Sequence, residues 1–114
     1  MSMTATARKV EGVSILDLSG RITIGDGTVV LKEAVRNLLS KHEMNILLNL
    51  GDVSYIDSSG IGELVSSFTT AGKQGGKLKL LNLTKKVHDL LSITKLLTVF
   101  EVFDDEAKAI RSFS

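Results

Sequence analysis

One short run limits the fold more than any other part of the chain: Ile46-Leu47-Leu48-Asn49-Leu50, apolar apart from a single asparagine. A run this short suits a strand better than a helix, and a strand apolar on both sides must be covered on both sides. The flanking sequence supplies the cover. Across residues 28–42, Leu31, Ala34, Val35, Leu38 and Leu39 recur at helical spacing while Lys32, Glu33, Arg36 and Lys41 fall elsewhere, which is the pattern of an amphipathic helix. Across residues 58–73, Ile61, Leu64, Val65, Phe68 and Gly72 form a second stripe, and Gly75-Gly76 closes that helix.

The remaining elements follow the same alternation. Residues 4–9 and 13–19 read as two strands around the Glu11-Gly12 turn, a hairpin signal. Residues 20–27 read as a loop. Residues 77–81 alternate leucine with lysine and predict a strand; 85–92 predict a short helix with Val87, Leu90 and Leu91 inward. A final strand over 98–103 and a final helix over 104–112, capped by Asp104 or Asp105, complete the series. The order β-β-α-β-α-β-α-β-α predicts an α/β fold, a mixed, mainly parallel sheet with helices packed on it. With 114 residues and 43% hydrophobic content, a single domain over residues 1–114 is expected, burying roughly 65% of its unfolded surface.

Several function classes are disfavoured. The net charge is +1, from 14 basic and 13 acidic residues, which offers no electrostatic footprint for nucleic acid or an anionic membrane. Cysteine is absent, so disulfide frameworks and thiol chemistry are out. No apolar run approaches the ~20 residues of a membrane span, and the first seven residues are too polar for a signal peptide. A cytoplasmic protein is expected. His42 and His88 have no metal-ligand pattern around them, and no cofactor is implied. Lys85-Lys86 with Lys73, Lys77 and Lys79 read as a loosely basic, solvated edge.

The chemistry concentrates in Asp57-Ser58-Ser59-Gly60-Ile61-Gly62. A buried strand is expected to stop near residue 50, a short polar turn to follow, and a helix to start on this motif. Serine hydroxyls then lie beside the free N–H groups of a helix N-terminus, where an anion is favoured. A serine there can be a cap, a phosphate-binding group or a site of phosphorylation. Capping needs one residue, and three are available. Gly60 and Gly62 fall in the first turn although glycine costs about 1 kcal/mol relative to alanine in a helix, which suggests close approach by a partner. The site also follows the C-terminal end of a buried strand, where ligands and partners commonly meet open α/β sheets.

Residues 48–64, centred on Ile56-Asp57-Ser58-Ser59-Gly60-Ile61-Gly62, closely resemble the STAS domain of bacterial anti-sigma factor antagonists. The resemblance covers essentially the whole chain, including Gly20 after the second strand and Gly75-Gly76 before the fourth. It implies a non-enzymatic partner-switching protein. In that family the serine directly after the aspartate, here Ser58, is phosphorylated by a serine kinase that also serves as the anti-sigma factor. The unphosphorylated antagonist binds that partner, phosphorylation releases it, and a PP2C-type phosphatase resets it. On this reading Asp57 orients the Ser58 hydroxyl or caps the helix, and Ser59 is a structural or kinase-docking neighbour. Ile61 and Leu64 belong to the core; Gly60, Gly62 and Glu63 lie on the exposed contact surface.

The resemblance departs at one place. Many family members carry an acid shortly after the glycine that ends the second strand; here Gly20-Arg21-Ile22-Thr23 puts Thr23 in its place, and acid first appears at Asp26. The alternative is a STAS domain that is never phosphorylated, a scaffold or a subunit of a signalling or lipid-transport assembly, with Ser58 as a cap. Catalysis by Ser58 or Ser59 lacks a base and a nucleophile-elbow motif. The glycines do not complete Gly-x-Gly-x-x-Gly, because position 65 is valine.

Overall fold

The computed structural model describes residues 3–114. The element order is β1 (Thr4–Val10), β2 (Val13–Ile22), α1 (Asp26–Ser40), β3 (Asn45–Ile56), α2 (Ser58–Lys73), β4 (Lys77–Leu81), α3 (Lys85–Ile93), β5 (Val102–Phe103) and α4 (Glu106–Arg111). The strands form one sheet in the order β1-β2-β3-β4-β5. β1 runs antiparallel to β2, and every other neighbour is parallel. This is the mixed, mainly parallel α/β arrangement that the alternation of periods predicts.

The apolar run at 46–50 sits where its composition requires, in the central strand between two layers. Side chains alternate across a sheet. Ile46, Leu48 and Leu50 enter the larger core with Leu31, Val35, Leu38 and Leu39 of α1, Leu64 and Ala71 of α2, and Val87 and Leu91 of α3. Leu47 points the other way, to Val13, Ile15, Leu81 and α4's Ala109 and Ile110. Asn49 shares that second face, and its amide donates to Asp17 Oδ1 at 2.8 Å. Asp17 in turn accepts from Arg8 Nε at 2.6 Å, and Arg8 Nη2 donates to Glu106 Oε1 at 2.6 Å. The one polar residue of the run therefore joins a network that fastens α4 to β1 and β2.

Four expectations from the sequence are corrected. β3 does not stop near residue 50: it continues to Ile56 alongside a β2 that reaches Ile22. The pairs run Asp17↔Asn49, Ser19↔Asp52, Gly20↔Val53, Arg21↔Tyr55, so β3 gains one residue on β2 twice. Each is a β-bulge, and the extra residues break the alternation that marks a strand. The polar stretch looks like a turn for that reason. β5 is only two residues long, and Phe100 reaches the core from the turn before it. Lys79 is not part of a solvated basic edge. It is buried on β4, donating from Nζ to Ser112 O at 2.9 Å and Oγ at 3.0 Å, with the Phe113 ring centroid 4.6 Å away. On α2, Ala71 is buried where Gly72 was expected; Gly72 is exposed.

Candidate functional site

The C-terminal ends of β2 and β3 deliver two segments to one place: the β2–α1 connection (residues 23–25) and the start of α2. Asp57 joins them. It is the N-cap of α2, with Oδ1 accepting from Gly60 N at 2.8 Å, while Oδ2 accepts from Ile24 N at 3.0 Å. Its own N–H donates to Ile22 O at 3.3 Å. The Gly60 N–H, then the Ile24 N–H, hold the Asp57 carboxyl below the usual aspartate range. With both oxygens engaged and the charged form favoured, Asp57 is a clamp and a poor proton acceptor.

Because Asp57 supplies the cap, Ser58 does not. Ser58 is the first residue of α2 and is exposed, and its hydroxyl has no hydrogen-bond partner among the described residues. Ser59 is half-buried. No acidic side chain occupies the first turn of α2, so its partial positive charge is offset by Asp57 alone. What remains is an exposed hydroxyl on a helix N-terminus with room for an anion.

The two glycines have different reasons. Gly60 is buried, and a Cβ there would collide with the Ile22 carbonyl oxygen and the Ile56 side chain. Gly27, on α1, would collide with the Arg21 carbonyl in the same way. Both helices thus press onto the end of β2, and close approach at Gly60 is to this chain's own backbone rather than to a partner. Gly62 is exposed with open space around it, as a contact-surface position requires.

Glu63 was expected on that surface and is not there. It is 9% exposed, turned into the α1–α2 seam, where Oε2 accepts from Ser67 Oγ at 3.1 Å and Oε1 lies 3.8 Å from Lys32 Nζ. The hydroxyl one turn on and the lysine across the seam allow a carboxylate on the inward stripe. Leu64 is fully buried as expected, and Ile61 packs half-buried against the core. Thr23 is half-buried, its carbonyl accepting from Thr28 N at 3.1 Å. Asp26 is exposed at the first turn of α1 and accepts from Met3 N at 3.2 Å. The clamp therefore brings Thr23 and Ile24 beside Ser58, whereas Asp26 is engaged with the N-terminal segment.

Two exposed apolar residues near the site escaped sequence reasoning. Ile24 is 77% exposed, next to the Asp57 clamp, and Tyr55 is 38% exposed on β3 just before it. The available signal was an isoleucine directly before Gly25 in a glycine-rich loop and the chain's only tyrosine inside a polar stretch. Among the described residues no three histidine or acidic side chains converge as a metal site, and no helix is long and apolar enough to cross a membrane.

An α/β domain with a mixed five-stranded sheet and an exposed serine leading its central helix is the class this geometry defines. Residues 4–109 match the STAS domain model, and the chain belongs to that family. It is 30% identical over 102 residues to the anti-sigma-B factor antagonist of Bacillus subtilis, covering 90% of this chain and 92% of that protein. It is 28% identical to the anti-sigma F factor antagonist of Paenibacillus polymyxa, covering 87% and 85%. The crystal structure of a Thermotoga maritima protein, provisionally assigned as an anti-sigma factor antagonist, superposes with a TM-score of 0.86. It is 28% identical, covering 95% of this chain and 92% of that one.

Proposed function

We propose that this chain is an anti-sigma factor antagonist switched by phosphorylation of Ser58. Unmodified, it binds an anti-sigma factor with serine kinase activity and so frees a sigma factor; phosphorylated, it lets go, and a PP2C-type phosphatase restores it. One observation carries the reading: Ser58 is exposed at the start of α2 while Asp57 does the capping. The curated relatives named as anti-sigma factor antagonists support the general role.

In the transfer, Ser58 Oγ attacks the γ-phosphorus of ATP, the new Oγ–P bond replaces the bond to ADP, and the hydroxyl proton leaves to a base. Asp57 is a poor candidate for that base, so the kinase supplies its own. The product adds roughly −1.5 to −2 charge at a helix end where an anion is favourable by ~0.3–1 kcal/mol. The fold then loses nothing, and the cost falls on the interface through desolvation and repulsion. The switch changes affinity with little change of shape. Gly62, Ser59, Thr23 and Ile24 form the rim that the partner covers.

The test is a pull-down from the host's lysate with wild-type, Ser58→Ala and Ser58→Glu baits, followed by incubation of the captured partner with ATP. The expected result is a kinase retained by wild type and Ser58→Ala, lost by Ser58→Glu, and phosphate on the wild-type peptide containing residue 58 alone. Equal capture by a folded Ser58→Glu protein, or phosphate on Ser58→Ala, overturns the proposal.

A further inference from the structure

Positive charge without a carboxylate partner and exposed apolar surface coincide at Tyr55. Two cations lie over its ring, Arg21 Cζ at 5.2 Å and Lys86 Nζ at 5.6 Å from the centroid. Neither belongs to an ion pair among the described residues, whereas the neighbouring Lys85 is held by Asp89 at 2.9 Å. The ring attracts them through its quadrupole but accepts none of their N–H donors in the way a carboxylate does. Between Tyr55 and α3 lies an open cleft of about 560 Å³, lined by Tyr55, Lys85, Lys86, Asp89, Leu90 and Ile93, with Arg21 beside it over the Tyr55 ring. Ile93, the last residue of α3, is 75% exposed.

The geometry points to a docking cleft for an acidic, apolar segment of a partner protein. Such a segment places an aliphatic side chain between Tyr55 and Ile93 and a carboxylate on Arg21 and Lys86, whose planar and point charges suit it in different ways. Charge complementarity selects this occupant. Asp89 also lines the cleft, but its charge is taken up by Lys85 at 2.9 Å, so the charge left for an occupant is that of Arg21 and Lys86. A bilayer is disfavoured because the broad basic face that an anionic membrane needs is missing.

The cleft adjoins the serine. Tyr55 precedes Ser58 by three residues, at most about 11 Å of chain, a little beyond the ~8 Å screening length at physiological salt. A phosphate on Ser58 therefore offsets in part the pull of Arg21 and Lys86 on a carboxylate held in the cleft, and more so at low salt. That coupling rests on the reading of Ser58 given above; the cleft does not.

The experiment titrates the full chain, isotope-labelled for amide NMR, with two synthetic helical peptides that share leucine positions and differ in carrying glutamates or lysines. Affinity is read by fluorescence anisotropy and location by amide shifts. The expected result is binding of the glutamate peptide only, with shifts at Tyr55 and along α3. Affinity should fall with salt, and by about tenfold or more in Arg21→Glu/Lys86→Glu. Lys86→Glu alone, on an exposed helix position, should give a smaller loss in the same direction and guards against misfolding of the double variant. No binding, equal binding of both peptides, shifts elsewhere, or full affinity in the charge-reversed protein overturns the cleft. So does co-sedimentation with phosphatidylserine-containing vesicles in the absence of peptide binding. If Ser58→Glu leaves the peptide affinity unchanged, the coupling is overturned while the cleft and the partner switch stand on their own tests.

Discussion

The helices α2 and α4 begin alike and end in different employment. Each is capped by an aspartate that accepts from the N–H three residues on: Asp57 from Gly60 at 2.8 Å, Asp105 from Lys108 at 3.0 Å. The next position separates them. In α4 it is Glu106, a built-in anion whose charge is taken up by Arg8 at 2.6 Å. In α2 it is Ser58, neutral and facing solvent. The α4 start is closed into the scaffold with Asp17 and Asn49; the α2 start has only the Asp57 cap to offset its field. Phosphorylation would install at α2 the charge that α4 carries permanently, without an Arg8 to absorb it. A cap made by the residue before the helix is what leaves Ser58 free for use.

The third residue of each helix gives the largest contrast to break. Gly60→Ala drives a methyl into the Ile22 carbonyl and should cost about 2–3 kcal/mol, a Tm fall on the order of 10 °C. Lys108→Ala, at the matching exposed position of α4, should stay within about 0.5 kcal/mol. Thermal denaturation followed by circular dichroism measures both. Equal losses would mean that α2 does not press on β2.

The caps come next. Asp57→Ala removes two acceptors, one for the helix and one for the Ile24 N–H, whereas Asp105→Ala removes the helix cap alone. Asp57→Ala should therefore lower Tm more, and amide exchange at Ile24 should speed up only in that variant.

Acid should loosen α4. The hydrogen bonds from Arg8 hold both Glu106 and Asp17 below their ordinary carboxyl ranges. Their contribution is thus complete above the unfolded values near pH 4, and is lost as pH falls through the lower folded ones. Glu106→Gln should flatten the decline of Tm below about pH 4.5. These side chains are 36–38% exposed, so screening limits the difference to about 1 kcal/mol. The smallest change belongs to Ser58→Glu, which should leave Tm within about 1–2 °C of wild type while it abolishes partner binding. A large loss of Tm would show that the α2 start is as closed as that of α4.

How much of this was legible in the sequence depended on range. The helical stripes of α1 and α2, the leucine alternation of β4 and the Ser58 start of α2 are local patterns, and the structure has them within a few residues. The β3 extension was hidden because Gly51 and Ser54 are extra residues that put Leu50 and Val53, and then Val53 and Ile56, three apart instead of two. Glu63 and Lys79 are charged, and charge argues for exposure. Their burial depends on Ser67 and Lys32 in one case, and on the Ser112 carbonyl and Phe113 ring in the other. Gly60 looked like a surface glycine because its true neighbour, Ile22, is 38 positions away in the chain. Arg21, Tyr55 and Lys86 meet only after β2, β3 and α3 have assembled.

The two bulges of β3 also bear on how a lineage of such genes can change length. Losing one codon among residues 46–49 would slip every later pair with β2 and turn Asp57 away from the Ile24 N–H. Losing the codon for Gly51 or Ser54 would leave the downstream pairs in step and remove only a local bend. Single-residue deletions in this strand should therefore be tolerated at Gly51 or Ser54 and not at residues 46–49, because only the former leave Asp57 in place.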